Sequence, residues 1–154
     1  MSRPTVLCFS GHDPSGGAGV QADIETIVSH RCHAASLITC LTEQDSRNVK
    51  RLLPQKPEDL ISQARTVLSD FEVAAIKIGL IGSHEIAKAI AQLLQEHPRI
   101  PVVLDPVLTA GGGTDMASRQ LLTAIVEKLL PLTTLITPNS QEARRLTGHE
   151  DLAD

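Results

Sequence analysis

The residues best suited to chemistry in this 154-residue chain lie between Ser10 and Asp23. Their sequence is S-G-H-D-P-S-G-G-A-G-V-Q-A-D, in which an apolar run gives way to a Gly-rich turn and then to a helical pattern. A Gly-rich helix start exposes N–H groups without side-chain bulk, so a polar or anionic ligand can approach the backbone closely. The stretch predicts a ligand site, although a plain strand-to-helix connection would use the same glycines.

Two general nucleotide-binding patterns fit this stretch poorly. Residues 17–22, G-A-G-V-Q-A, formally satisfy the dinucleotide pattern G-x-G-x-x-G/A, with Glu43 or Asp45 near the expected acidic position. Residues 12–15 intervene between the strand and the first of these glycines, whereas the dinucleotide turn should follow the strand directly. The P-loop pattern is absent, because the sequence contains no Gly-Lys-Ser/Thr.

Composition and charge argue against several other classes of protein. A net charge of −4 leaves no broad basic surface for duplex DNA or for an anionic membrane. Two Phe and no Trp or Tyr are too few aromatic rings for a surface that stacks single-stranded bases. No apolar run approaches the ~20 residues of a membrane span. We therefore expect a cytoplasmic protein with neither a nucleic-acid nor a membrane partner.

The three cysteines, Cys8, Cys32 and Cys40, are odd in number and show no C-x-x-C spacing. This pattern argues against a disulfide framework and against a zinc site. We interpret the three side chains as small buried hydrophobic groups.

Strand and helix periodicities alternate along the chain and predict an α/β fold with a largely parallel sheet covered on both faces. Strands are predicted at 5–10, 34–41, 73–78, 101–104 and 133–136. Five helices are predicted. The first has Val20, Ile24, Ile27 and Val28 on one face, the second begins at Pro57, and the third follows the N-cap Ser83. The fourth covers 121–129, and the last begins at Thr137-Pro138 and stops at Gly148. The polar segment 42–56 interrupts the alternation, and both a solvated loop and a projecting edge hairpin are compatible with it.

Five ordered blocks of sequence closely resemble the hydroxymethylpyrimidine/phosphomethylpyrimidine kinases of thiamin biosynthesis, which belong to the ribokinase superfamily. The first is the stretch from residue 11 to 23. Residues 36–46, S-L-I-T-C-L-T-E-Q-D-S, are similar to the family's S-V-I-T-A-L-T-A-Q-N-T, and residues 77–82, K-I-G-L-I-G, to K-I-G-M-L-G. Residues 102–107 match V-V-x-D-P-V, and residues 129–143 track L-L-P-x-x-x-L-I-T-P-N-x-x-E-A. The resemblance implies a ribokinase-like three-layer αβα fold, with residues 1–154 forming a single domain that lacks its C-terminal portion.

The resemblance also implies a set of site residues. The pyrimidine is expected to lie over the start of the first helix, in contact with Gly11, Ala18, Asp23, Gln44, Leu80 and Val107. Gln44 offers a donor and an acceptor in one amide, and Asp23 can accept a hydrogen bond from a ring amino group. Asp105, Asn139 and Glu142 are expected at the metal and phosphate site, with Glu142 holding Mg²⁺ through water.

Three positions depart from the family's pattern. His12 replaces a residue that is often threonine, and we interpret it as a turn histidine on the surface. Glu43 and Asp45 replace the usual Ala and Asn beside Gln44, and both add negative charge next to the expected pyrimidine site.

The activity that the resemblance implies is phosphorylation of 4-amino-5-hydroxymethyl-2-methylpyrimidine and of its monophosphate, with ATP and Mg²⁺, by a homodimer. The family's K-G-G-H-like lysine segment and its G-T-G-C/D anion hole have no match in the 154 residues, so the catalytic residue is expected beyond Asp154. The chain is then part of a longer kinase or a natural truncation that a partner completes. A pyrimidine-binding or regulatory module without catalysis, and a pyridoxal-type kinase of the same superfamily, remain alternatives.

Overall fold

A six-stranded sheet forms the centre of the computed structural model, which describes residues 3–149. The strands are β1 (Thr5–His12), β2 (His33–Gln44), β3 (Val49–Pro54), β4 (Val73–Ile78), β5 (Val102–Leu104) and β6 (Leu135–Ile136). Their order is β3-β2-β1-β4-β5-β6, and every neighbouring pair is parallel except β2 and β3. The predicted α/β architecture with a mostly parallel sheet is confirmed.

Helices connect the parallel strands. They are α1 (Gly19–Ser29), α2 (Pro57–Asp70), α3 (His84–Glu96), α4 (Arg119–Ala124) and α5 (Ser140–Thr147); a π-helical turn (Ile125–Leu129) and a 3-10 turn (Leu130–Leu132) continue α4. Ser83 caps α3 as predicted, because its side chain accepts a hydrogen bond from the N–H of Ile86. Across residues 3–149, no helix combines the length and the apolar character that crossing a membrane requires.

The main apolar core lies between one face of the sheet and the helices α2, α3 and α4. Alternate strand residues point into it, as the two-residue period of a strand requires. The largest fully buried members from the strands are Leu7, Phe9, Ile76, Ile78 and Leu104, and those from the helices are Leu60, Ile86, Ile90, Leu93 and Leu121. With almost no aromatic residues available, the core is built from branched aliphatic side chains.

The opposite face of the sheet is covered by α1, which packs on β1 and β2. The predicted apolar stripe of this helix is only partly buried. Val20 is 7% exposed, whereas Ile24 is 36% and Val28 is 51% exposed. The sequence pattern therefore identifies α1 correctly but overestimates how much of its apolar face the described residues cover.

Leu135 of β6, the last strand in the sheet order, is also exposed, at 56%.

The last helix begins later than predicted. Asn139, not Thr137, precedes its first turn, and the Asn139 side chain accepts a hydrogen bond of 2.9 Å from the N–H of Glu142. An N-cap residue of this kind satisfies a backbone N–H that has no partner within the helix. The helix ends at Gly148, which has a φ of +71° and closes it as predicted.

The segment from residue 42 to 56 forms an antiparallel strand pair at the edge of the sheet. β2 continues to Gln44, and β3 returns beside it after a turn. Asp45 closes that turn, because its Oδ1 accepts hydrogen bonds from the N–H groups of Arg47 and Asn48. These two bonds hold the pKa of the Asp45 carboxyl below its usual range.

The end of β1 and the start of α1 make an unusually close contact. Gly19 has a φ of +63°, and a Cβ at this position would lie 2.3 Å from the carbonyl oxygen of Gly11. Asp13, which is 4% exposed, shapes the turn between them by accepting hydrogen bonds of 2.8 Å from the N–H and the hydroxyl of Ser15. Only glycine fits at position 19, for reasons of both space and backbone conformation.

Two of the three cysteines are buried as predicted, and the third is not. Cys8 and Cys40 are fully inaccessible, whereas Cys32 is partly exposed at the end of α1. Burial raises the pKa of the Cys8 thiol to about 12 and that of Cys40 to about 11.

We expect a single fast-reacting thiol in the folded chain, that of Cys32. The thiolate is the reactive form, and at about pH 8 burial leaves Cys8 and Cys40 protonated and shielded. Labelling with an aromatic disulfide reagent, followed by release of its coloured thiol, measures this directly. Cys32→Ser should abolish the fast phase, and unfolding in guanidinium should expose the other two thiols. Fast labelling of folded Cys32→Ser would contradict the burial of Cys8 and Cys40.

We expect Gly19→Ala to lower the free energy of unfolding by about 1–3 kcal/mol, because an alanine there is strained in φ and collides with the Gly11 carbonyl. Gly111→Ala is the matched control, since a Cβ at Gly111 meets nothing within 4 Å; its effect should stay below about 0.5 kcal/mol. Urea unfolding followed by circular dichroism measures both. Equal effects of the two substitutions would contradict the close contact.

Candidate functional site

A cavity of about 400 Å³ opens at the carboxyl ends of β1, β2 and β4, beside the start of α1. Ligands of open α/β sheets gather at this edge, and the volume suits a small molecule. All six residues expected at the pyrimidine site line the cavity: Gly11, Ala18, Asp23, Gln44, Leu80 and Val107. Asp105 lines it as well, whereas Asn139 and Glu142 do not.

Glycine at position 11 lets the end of β1 approach the side chain of Leu80. A Cβ at Gly11 would lie 2.6 Å from Cδ2 of Leu80, so this side chain packs directly on the strand backbone. Leu80 and Val107 also contact a small apolar cluster of Val49, Ala110 and Met116. One side of the cavity is therefore apolar, as the face of an aromatic ring requires.

Asp23 lies on the polar side of the cavity, where α1 faces the sheet. Its Oδ2 accepts hydrogen bonds from the hydroxyl of Ser10 and from Nζ of Lys77, the latter at 3.0 Å. The side chains of Lys77 and Asp23 are 23% and 17% exposed. The sequence motifs alone indicate no role for Ser10 or Lys77. The available signal was a lysine between two apolar residues in a predicted buried strand.

Gln44, at the end of β2, is held by Thr42. The Thr42 hydroxyl lies 2.8 Å from the carbonyl oxygen of His12 and 2.8 Å from the amide oxygen of Gln44. The Thr42 hydroxyl has one proton to donate, so the two contacts compete for it. The contact with Gln44 fixes the plane of the Gln44 amide whichever way its O and N are assigned. The rest of the amide is available to a ligand in the cavity.

Asp105 follows β5 and offers a carboxylate to which no described residue donates a side-chain hydrogen bond. Burial raises its pKa above the usual range; the nearby Lys77 opposes this shift, while the charges of Glu142 and Asp23 add to it. An unpaired, half-buried carboxylate of this kind is suited to a cation or to a proton.

Asn139 and Glu142 form a capping box at the start of α5. Glu142 Oε2 accepts a hydrogen bond of 2.9 Å from the N–H of Asn139, and the Asn139 side chain accepts one from the N–H of Glu142. Glu142 Oε1 contacts the N–H of Leu108 at 3.4 Å, and the residue is 6% exposed. Its two oxygens therefore serve backbone N–H groups in this structure.

The fit of these residues to Mg²⁺ is incomplete. No group of three or more His, Cys, Asp or Glu suited to a metal ion occurs among residues 3–149. Mg²⁺ retains several waters and can be held by one or two carboxylates, and Asp105 supplies one. Of the three residues expected at the metal and phosphate site, only Asp105 offers an open carboxylate to the cavity, and residues 3–149 contain no closed metal site.

The three residues that depart from the family's pattern, His12, Glu43 and Asp45, do not lie where the sequence suggests relative to the cavity. His12 is the last residue of β1 and lines the cavity instead of lying in a surface turn. Glu43 and Asp45 do not line it. Glu43 is exposed and forms an ion pair of 3.4 Å with Arg51 on β3.

A glycine loop closes the cavity on the side of the edge hairpin. A Cβ at Gly112 would lie 2.4 Å from the carbonyl oxygen of Arg47, and Thr114 donates a hydrogen bond of 2.8 Å to the side chain of Asn48. The loop after β5 and the turn before β3 are thus in direct contact. The Gly-rich residues 111–113 provide shape here, with Gly111 at the cavity.

Curated relatives match almost all of the chain. A hydroxymethylpyrimidine/phosphomethylpyrimidine kinase of Haemophilus influenzae is 41% identical over 143 residues, which are 93% of this chain and 53% of the relative. The kinase of the same description in Escherichia coli is 37% identical over 146 residues, 95% of this chain and 55% of the relative. The chain therefore spans about half the length of these relatives.

Solved structures agree with the fold and the family. A phosphomethylpyrimidine kinase of Clostridium difficile superposes with a TM-score of 0.86 at 32% identity, over 96% of this chain and 63% of that one. An ADP complex of a Bacillus subtilis pyridoxal kinase gives 0.86 at 30% identity, over 99% and 57%. The expected ribokinase-like three-layer fold is confirmed. The phosphomethylpyrimidine kinase family model matches residues 13–154, and the chain belongs to that family.

Proposed function

We propose that this chain supplies the pyrimidine-binding part of an ATP-dependent kinase that phosphorylates 4-amino-5-hydroxymethyl-2-methylpyrimidine and its monophosphate in thiamin biosynthesis. One observation carries the proposal. Six residues from four separate sequence blocks, expected around a pyrimidine by resemblance, line a single cavity. The 41% identity to a kinase of that description supports the choice of substrate.

The chemistry of the ring matches the polar side of the cavity. The pyrimidine edge presents an amino group, which donates, beside a ring nitrogen, which accepts. The Gln44 amide provides one acceptor and one donor for such an edge, and the Asp23 carboxylate accepts from an amino group. Leu80 and Val107 can enclose the ring faces, while the Gly-rich start of α1 leaves backbone N–H groups near the hydroxymethyl oxygen.

Phosphoryl transfer joins the hydroxymethyl oxygen to the γ-phosphorus of ATP as the bond to the β,γ-bridging oxygen breaks, and the hydroxyl proton passes to a base. A Staphylococcus aureus pyridoxal kinase, 28% identical to this chain, has been solved with AMP-PCP and pyridoxal, which supports ATP as the donor. Mg²⁺, when bound, would neutralise phosphate charge. Asp105 is the residue we assign to a water-mediated contact with the cation, and Glu142 supports the loop that carries Asp105.

A pyridoxal-type kinase is the second candidate. The structural similarity to the pyridoxal kinases of Bacillus subtilis and Staphylococcus aureus favours it, at 30% and 28% identity. A pyridoxal ring offers a phenolic oxygen and an aldehyde but no ring amino group. The two side-chain acceptors in the cavity, Asp23 and Gln44, therefore suit the aminopyrimidine better, and the higher identity of the pyrimidine kinases points the same way.

We expect Gln44→Ala to weaken binding of the aminopyrimidine by roughly 10-fold or more, because a buried ring edge then lacks its donor and its acceptor. Isothermal titration calorimetry on the 154-residue chain measures the affinity. Gln95→Ala, on the exposed surface of α3, is the matched control and should bind as tightly as the unmodified chain. Binding of pyridoxal but not of the pyrimidine would select the second candidate, and binding of neither would refute both.

We expect the 154-residue chain to show little or no turnover with ATP and the pyrimidine. Neither the lysine segment nor the G-T-G-C/D loop that the family resemblance implies occurs in these residues, so the protein groups that would stabilise the transferred phosphoryl in such a kinase are missing from them. Coupled detection of ADP measures the rate. Robust turnover would show that the residues present here suffice for phosphoryl transfer. Pyrimidine binding without any binding of ATP would favour a binding module.

A further inference from the structure

Lys77 brings a positive charge into a cavity otherwise lined by carboxylates and uncharged groups. It is the only lysine or arginine among the described residues that line the cavity. It lies on β4 between Ile76 and Ile78, which are 1% and 0% exposed. A lysine in such a strand costs free energy unless its ammonium is paired, so its position calls for a partner.

The partner of Lys77 is one particular oxygen of Asp23. Oδ2 receives both the Lys77 ammonium, at 3.0 Å, and the Ser10 hydroxyl. Among residues 3–149, no donor contacts Oδ1. The carboxylate is thus bonded to two strands of the sheet through one oxygen, and the other oxygen is left for a ligand in the cavity that Asp23 lines.

Glycine at position 79 makes room for this ion pair. A Cβ at Gly79 would lie 2.6 Å from Nζ of Lys77, closer than real Cβ contacts permit. Gly79 is also tied to β1, because its N–H donates a hydrogen bond of 2.8 Å to the carbonyl oxygen of Phe9. A side chain at position 79 would therefore displace the ammonium, which lies between the loop after β4 and α1.

We propose that Lys77 is a positioning residue that selects substrates bearing a ring amino group, because it fixes Asp23 through Oδ2 and so directs Oδ1 towards that amino group. The inference rests on the proposed pyrimidine site and assigns it a determinant of specificity. A carboxylate that is already paired on one side cannot turn its engaged oxygen to the ligand. An amino group at this position of the ring donates to the free Oδ1. A carbonyl oxygen at the same position would instead place its lone pair against that of Oδ1, which is unfavourable.

The mechanism predicts that Lys77 matters only to ligands that carry the amino group. The probes are 4-amino-5-hydroxymethyl-2-methylpyrimidine and its analogue with hydrogen in place of the amino group. We expect the unmodified chain to prefer the amino compound by roughly 10-fold or more, as is typical of a hydrogen bond to a charged acceptor. In Lys77→Met the preference should fall to less than about 3-fold, with the affinity for the hydrogen analogue nearly unchanged.

Two further variants separate positioning from loss of structure. Gly79→Ala retains both charges but displaces Nζ, and it should reduce the preference in the same direction. Lys77→Met combined with Asp23→Asn removes the unpaired carboxylate and should show little preference between the two probes. Lys88→Met, on the exposed face of α3, is the control and should behave as the unmodified chain.

Calorimetric titration of each variant with both probes decides the question. The proposal is overturned if Lys77→Met keeps the full preference, or if it loses both probes equally while the melting temperature is unchanged. The latter result would show that Lys77 contacts another part of the ligand. If the unmodified chain binds neither probe, the proposed pyrimidine site itself fails, which is a different outcome.

Discussion

The backbone contact between Gly11 and Gly19 fixes how α1 rests on β1, and with it the position of Asp23 in the cavity. A Cβ at Gly19 would come within 2.3 Å of the Gly11 carbonyl oxygen, so only glycine lets the first turn of α1 rest on the end of β1. One helical turn further, Asp23 then lies within reach of Ser10 on β1 and Lys77 on β4. Main-chain packing thus sets the position of α1 beside the cavity, and this position brings Asp23 within reach of Lys77.

The N-x-x-E segment affects the cavity from outside. Asn139 and Glu142 exchange hydrogen bonds as a capping box, and the second oxygen of Glu142 contacts the N–H of Leu108. Leu108 follows directly on Val107 and lies three residues after Asp105, so α5 is connected to the loop that forms one wall of the cavity. Glu142 also raises the pKa of Asp105 through its charge. In these residues the motif acts on the site through the backbone of the loop and through electrostatics.

The local pattern of apolar residues predicts features that depend on neighbours in sequence. It fails for features such as burial, which depend on residues that are distant in sequence. It predicts the strand Val73–Ile78 to the residue, because this run is apolar and bounded by turns. It does not predict the exposure of Ile24 and Val28 on α1, because burial depends on which elements pack against a helix. The family resemblance indicates the residues that line the cavity, since shared motifs carry spatial information that periodicity lacks. The family resemblance includes Lys77 in the K-I-G-L-I-G block but gives it no role, and periodicity cannot show its pairing with Asp23, which lies 54 positions away in the sequence.

The acidic positions beside Gln44 show how strand geometry separates charge from a site. Successive residues of a regular strand point to opposite faces. Although the register of β2 with β3 shifts between Glu43 and Gln44, Thr42 and Gln44 line the cavity, whereas Glu43 does not and pairs with Arg51. Asp45 is engaged by the N–H groups of its own turn. The two carboxylates that add negative charge beside Gln44 in the sequence are therefore partnered outside the cavity. Proximity to Gln44 along the chain therefore does not by itself place a side chain in the cavity.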